Sequence, residues 1–353
     1  LVGNSTDLRV IAALVEGLLN RGHTNLLVAD GSNVGVDRRG IDGFSRLRVD
    51  RLAEHYGIQT ANLNETEGLP LPLYAGALPK VARAVLEADC LISVPTVKTH
   101  VEAVLSCAMK NWVGIVRGQD KRQIHYSLAR NIHGLNEAVA PDLVIVDGVI
   151  GMEGNGPGDG EPFRLGRVLG GDSAFLIDLA VCRLLGIHWE TVPYLRCARE
   201  SGHVHEPMVS AVQEAFERAY QVELAPARSR LAELAEARSL RWLKRAVQPL
   251  LGEGVLLESA YRLGVVQDVY ALGDDTVSGV KRAQADCGDC ARCADFCPTG
   301  LSPEEIGVKT ELEHCIGCLY CWWVCPDGTI TLDGELGHLE RQVERYKKTV
   351  EGI

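Results

Sequence analysis

The chain has 353 residues, 46% of them hydrophobic, and a formal net charge of −11. That length can bury a large core and support a smaller second domain, while the acidic balance argues against nucleic acid as a partner, because phosphate binding needs a basic face. No apolar run reaches about 18 residues, so no membrane span is expected. Along the chain, residues 6–22 read as a helix with Thr6 or Ser5 as N-cap. Leu26 to Ala29 reads as a short buried strand that ends in Asp30-Gly31. Helices are expected over 45–57, 78–88, 100–116 and 125–140, the last stopping before Pro141. Cys90 to Pro95 and Leu143 to Gly148 read as two further buried strands. The stretch 168–171 is a fourth, followed by a helix from Ser173 to Leu185 for which Asp172 is the expected N-cap.

Strands alternating with helices predict an α/β domain with a mostly parallel sheet and flanking helices over 1–191. A mainly helical segment over 192–272 is expected to complete or cover it. Within that segment, Pro226 to Val247 is amphipathic and reads as a helix with a solvated charged face. Residues 273–353 form a small α+β ferredoxin-like domain with a C-terminal helix. The chain starts at Leu1 without a Met and shows no secretory pattern, so upstream residues are expected to be missing and the cytoplasm is the expected location.

Twelve cysteines in a chain of this size point to metal rather than to a disulfide scaffold. Cys287, Cys290, Cys293 and Cys297 follow C-x2-C-x2-C-x3-C with Pro298 next, and Cys315, Cys318, Cys321 and Cys325 repeat it with Pro326 next. Three thiolates spaced by two residues can wrap three corners of an iron–sulfur cubane, and in paired runs of this type the fourth cysteine ligates the other cluster. The expectation is therefore two 4Fe-4S clusters, one on Cys287, Cys290, Cys293 and Cys325, the other on Cys315, Cys318, Cys321 and Cys297. Zinc, which favours two C-x2-C pairs, matches the spacing poorly. Cys90, Cys107, Cys182 and Cys197 are scattered and read as ordinary thiols.

In open α/β sheets ligands bind beyond the carboxyl ends of strands. Lys98 and His100 follow the second of these strands, and Lys110 and Asn111 lie one helix later. A lysine suits a phosphate or carboxylate, and a histidine can move protons near neutral pH. A basic cluster from Arg117 to His133 includes His125 and reads as an anion site or as local salt bridging. Residues 151–160 hold five glycines and are expected to be a loop beyond Asp147-Gly148, where Glu153, Asn155 and Asp159 can orient a ligand. It is neither a Walker loop nor a dinucleotide fingerprint.

These pieces together resemble the DUF362 family. The matching text is Ala88 to Pro95 with Lys98-Thr99-His100, Lys110-Asn111, Val146-Asp147-Gly148, Met152 to Pro157 and Gly171-Asp172, and the likeness spans Leu1 to Gly186. The segment Ala283 to Gly334 resembles the clostridial-type ferredoxin module, a frequent companion in that family, and departs from it in the bulky pair Trp322-Trp323. The resemblance implies the architecture and little of the reaction. The leading expectation is an oxidoreductase: two clusters relay single electrons between an external carrier or redox enzyme and a small anionic substrate. Lys98, His100 and Lys110 act as catalytic residues, and Asn111, Asp147, Glu153, Asn155 and His125 bind the substrate. A flavin would serve a two-electron reaction, but no flavin motif is present. The alternatives are a non-catalytic electron-transfer or maturation partner that docks another protein, and an enzyme using another metal or ATP with structural clusters.

Overall fold

The computed structural model describes residues 3–38, 40–156, 159–225, 277–283, 287, 290–308, 314–335 and 349. The large domain opens with α1 (Leu8–Leu19), β1 (Leu27–Asp30), α2 (Val34–Arg38), α3 (Gly43–Leu47), α4 (Val49–Tyr56) and β2 (Gln59–Asn62). β1 and β2 pair in parallel as a two-stranded sheet of their own, with Leu27 opposite Gln59. A hairpin of β3 (Gly68–Pro70) and β4 (Lys80–Ala82) leads through α5 (Arg83–Leu86) into the main sheet. That sheet holds β5 (Ile92–Ser93), β6 (Thr96–His100), β7 (Val104–Ser106), β8 (Leu143–Asn155) and β9 (Asp159–Gly171). The helices α6 (Ala108–Asn111), α7 (Lys121–Ile124) and α8 (Leu128–Ala138) come between β7 and β8, and α9 (Ala174–Leu184), α10 (Pro193–Glu200) and α11 (Glu206–Ala215) follow β9.

β5 and β6 follow one another along one edge of β8, both parallel to it, and β9 runs antiparallel along the other edge. The sheet is therefore mixed rather than mostly parallel, because β7 and β9 pair antiparallel with the strands that precede them, β6 and β8. The second pairing corrects the glycine-rich loop: residues 151–155 and 159–160 are the outer rungs of the β8–β9 hairpin, with Gly154 opposite Gly160 and Asn155 opposite Asp159. The helix expected over 100–116 is instead the end of β6, a turn, β7, the single turn of α6 and a 3-10 turn over Trp112–Ile115. Val104 takes a left-handed φ of 67°, which no helix accommodates, and pairs with His100. The expected helix over 78–88 is likewise β4 followed by α5, since Lys80 and Val81 pair with β3.

The main core joins Val97, Leu105, Met109, Ile132, Leu135, Val144, Val146, Val181 and Leu195, all fully buried. Truncating one of these to Ala costs about 2–5 kcal/mol. Asp7, not Thr6 or Ser5, caps α1 through Arg9 N–H at 2.8 Å, while the Thr6 hydroxyl donates to Val94 O. Ser173 rather than Asp172 caps α9. Cys107 and Cys182 are buried thiols, as expected, whereas Cys90 is exposed.

The C-terminal module closes a β-ribbon of β10 (Gly279–Arg282) and β11 (Ile330–Asp333) around two one-turn helices, α12 (Arg292–Asp295) and α13 (Tyr320–Val324). It meets the large domain at two apolar contacts. Ile316 packs with Leu8, Ala12, Val49 and Leu52 of α1 and α4, and Phe296 and Val324 pack on Ile150. In the expected helical segment, α10 and α11 are present; the stretch Pro226 to Val247 and the C-terminal helix lie outside the described residues.

Candidate functional site

Six of the eight cysteines of the two runs lie at one pocket or in one apolar cluster. Cys297, Cys315, Cys318 and Cys321 line one pocket with Ile316, Leu301 and Ile306. Cys293 and Cys325 pack in one apolar cluster with Cys297, Cys321, Leu301, Ile306 and Ile330. Leu319 between Cys318 and Cys321 adopts a left-handed φ of 65°, which lets the backbone wrap inward. The Leu301 N–H points at Cys297 Sγ (3.4 Å), and the Arg282 guanidinium donates to Cys287 Sγ (2.8 Å). Burial pushes the Cys321 thiol up to about 12 and the Cys318 thiol well above its usual value. Bare thiolates are thus disfavoured, and the donor set fits a cationic iron core that neutralises them. Bound clusters supply one-electron carriers.

The second constellation sits where the sheet bulges. Between Thr96–Asp147 and Lys98–Met152 the register of β6 on β8 shifts, so β8 carries extra residues over 148–151. Gly151 permits this, since a Cβ there would lie 2.6 Å from the Phe163 ring and 2.8 Å from Val97 O. The bulge turns the buried Asp147 carboxylate onto the Val149 N–H (3.1 Å) and the Asp7 N–H (2.7 Å). Burial nevertheless outweighs these hydrogen bonds and holds its carboxyl up at about 6. Lys98 donates to Asn4 O at 2.6 Å and lies between the charges of Asp147 and Asp30, its ammonium lowered by burial. Asp30 faces Lys98 and Lys121, the latter buried and donating to Asn64 Oδ1 and Val116 O.

Lys110 stands on α6 beside Lys98 and has no hydrogen-bond partner among the described residues. Burial and the Lys98 charge lower it to about 8. His100 accepts at Nδ1 from the Glu102 N–H (3.0 Å) and the Ala103 N–H (3.3 Å), and burial depresses it to about 3. It is a neutral ring with its hydrogen on Nε2 at physiological pH. His125 pairs with Glu102 (3.1 Å), whose charge also reaches His100 and Lys110.

The fold thus gathers Lys98, His100, Lys110, Asp147 and, through Glu102, His125. It does not bring the remaining three there. The exposed Asn111 donates to Ser93 Oγ, Asn155 is exposed at the end of β8, and the Glu153 carboxylate accepts from Tyr220 OH (2.8 Å) and Glu223 N–H (2.7 Å). Asp7 and Arg9 were missed by sequence reasoning. Asp7 feeds its N–H to Asp147 and its carboxylate to Arg9, and the Arg9 guanidinium lies 4.0 Å above the Phe296 ring. Leu8 N–H donates to Tyr320 OH (3.2 Å), which completes a contact from α13 to the bulge. Only the acidic residue opening α1 marked this in the sequence, and nothing tied it to position 147.

Comparison with known families matches residues 2–183 to the domain of unknown function DUF362. This protein belongs to the DUF362 family. Residues 279–326 match a 4Fe-4S dicluster domain, so this DUF362 protein carries a ferredoxin-type iron–sulfur domain at its C-terminal end. Among curated relatives, a thylakoid-associated protein of Synechocystis sp. is 28% identical over 130 residues, 35% of this chain and 40% of that protein. A subunit of the sulfite dehydrogenase of Allochromatium vinosum is 44% identical over 46 residues, 12% of this chain and 19% of its own length. A component of the polysulfide reductase of Wolinella succinogenes is 38% identical over 79 residues, 21% of this chain and 41% of its own. The chain therefore spans well under half the length of these relatives. No solved structure matches it. The 4Fe-4S dicluster match makes residues 279–326 an iron–sulfur domain of the electron-transfer type. Among the described residues no helix is long and apolar enough to cross a membrane.

Proposed function

We propose that this DUF362 protein is an oxidoreductase in which two 4Fe-4S clusters connect an external electron carrier to a small anionic substrate held at the β6–β8 bulge. Cys287, Cys290, Cys293 and Cys325 hold one cluster, and Cys315, Cys318, Cys321 and Cys297 hold the other. The observation that carries this reading is the docking of the module: the α13 segment bearing Cys321 touches Leu8 of α1 through Tyr320 OH, and the N–H of the preceding residue, Asp7, donates to Asp147. Ile316 and Cys318, which line the pocket of Cys297, Cys315, Cys318 and Cys321, pack on the apolar cluster of α1 and α4.

Lys110 binds the anionic group and, lowered to about 8, is the best-placed proton donor. Lys98, held by Asn4 O between Asp30 and Asp147, adds positive charge. His100, fixed as a neutral ring, offers a Nε2–H hydrogen bond rather than a cation. The test uses anaerobically prepared, iron-loaded protein with inorganic phosphate and sulfite as probe anions. Lys98→Ala should weaken binding about tenfold or more, in the range of a charged hydrogen bond, with the iron content unchanged. Equal affinity in the variant removes Lys98 from the site.

A second reading, a partner that relays electrons without chemistry of its own, is favoured by the relatives that are named as parts of a sulfite dehydrogenase and of a polysulfide reductase. It predicts no binding of either anion and a stable complex with a redox protein.

A further inference from the structure

Away from the thiols and the bulge, a third set of ligating groups lies where α8 meets the turn after α10. His133 and Glu137 stand one helical turn apart on α8, and His203 follows α10. His133 Nδ1 is 3.1 Å from Glu137 Oε2, His203 Nδ1 is 3.9 Å from Glu137 Oε1, and His133 Nε2 is 3.4 Å from His203 Nδ1. One donor atom from each residue can be chosen so that all three lie within 4.8 Å of one another. Zinc bonds of about 2.0–2.2 Å place tetrahedral neighbours about 3.4 Å apart, so small side-chain rotations close the set on an ion.

The rings are held in place before any ion arrives. His133 is 3% exposed and caught between helices. The Phe175 ring stacks on His203 with centroids 4.8 Å apart, and Ser201 Oγ touches both imidazoles at 2.8 and 3.0 Å. Two imidazoles and one carboxylate form a donor set for a borderline ion, whereas magnesium and calcium prefer oxygen-only shells. Glu137 also lines an open cleft with Pro72, Leu73, Tyr74 and Gly134.

We propose that His133, Glu137 and His203 form a binding site for a divalent transition metal of the zinc class, with a coordination position left for water or a small anion from the adjoining cleft. Neither the iron–sulfur ligands nor the charged bulge contributes to it. Without an ion the same contacts form only a hydrogen-bonded staple, from His203 through Ser201 and His133 to Glu137, and that is the outcome against which the site is tested.

The experiment takes cluster-loaded, anaerobic protein, dialyses it against zinc, and counts zinc and iron in the same sample. The site predicts one zinc per chain without loss of iron, and zinc absorption spectra fitted by nitrogen and oxygen at about 2.0–2.1 Å with no sulfur shell at about 2.3 Å. His203→Ala changes a half-exposed turn residue, and Glu137→Gln keeps its shape. Each should lower the zinc affinity by more than about 100-fold, above the range for outer-shell partners, while the visible cluster absorption is retained as the control for folding. No zinc uptake, a sulfur shell, or unchanged affinity in the folded Glu137→Gln protein overturns the proposal.

Discussion

The cysteine module and the β6–β8 bulge both gather ionisable groups inside the protein, and they do it in opposite ways. In the module, burial keeps thiols such as Cys318 and Cys321 uncharged unless a cation takes them up as thiolates. At the bulge the signs alternate, Lys121 with Asp30, then Lys98, then Asp147, and the residues there partly neutralise one another. What remains there is Lys110, which has no acidic residue hydrogen-bonded to it among the described residues. On the proposed function, the module serves a resident group and the bulge keeps one cation for a transient one.

The sharpest way to break this comparison is at the module. Cys293→Ser should lower the iron content from about eight to about four per chain, because it removes one ligand from one cubane only. Iron unchanged at its wild-type level would reject the assignment of Cys293. At the bulge, Lys110→Met should weaken phosphate binding about tenfold without lowering thermal stability, since the lost ammonium is desolvated and has no hydrogen-bond partner among the described residues. The pH dependence follows from the same group. Its ammonium is present below about 8 and lost above it, so wild-type affinity should fall as pH rises from 7 to 9 while that of Lys110→Met stays flat. A wild-type affinity independent of pH over that window would exclude Lys110. The smallest effect is expected where the two regions touch. Arg9→Ala removes a part-buried ion pair and a guanidinium over Phe296 and should cost about 1 kcal/mol by denaturant unfolding, with iron retained.

The two regions also differ in how far the amino-acid sequence reveals them. The thiol candidates are local, two or three residues apart, so spacing alone picks them out, and the structure gathers Cys297, Cys315, Cys318 and Cys321 at one pocket. The bulge is assembled from positions 4, 7, 30, 98, 110, 121 and 147, and no local pattern links these. Lys98, His100, Lys110 and Asp147 were legible because they follow or sit in apolar strands. Asp7 and Arg9 were not, because their role arises from the docking of α1 against α13. Glu153 and Asn155 drew attention through the flanking glycines, but those glycines serve hairpin packing: a Cβ at Gly160 would meet Glu153 O at 2.5 Å. The mixed sheet escaped the sequence for a related reason, since a fully buried strand reads alike whether its neighbour is parallel or antiparallel.

The most direct test of the account is an iron and acid-labile sulfide count on anaerobically purified wild-type protein, followed by electron paramagnetic resonance on reduction. Two interacting 4Fe-4S centres predict about eight irons and eight sulfides per chain and a spectrum broadened by spin coupling. Folded protein that holds only zinc at these cysteines, or no metal at all, would contradict it.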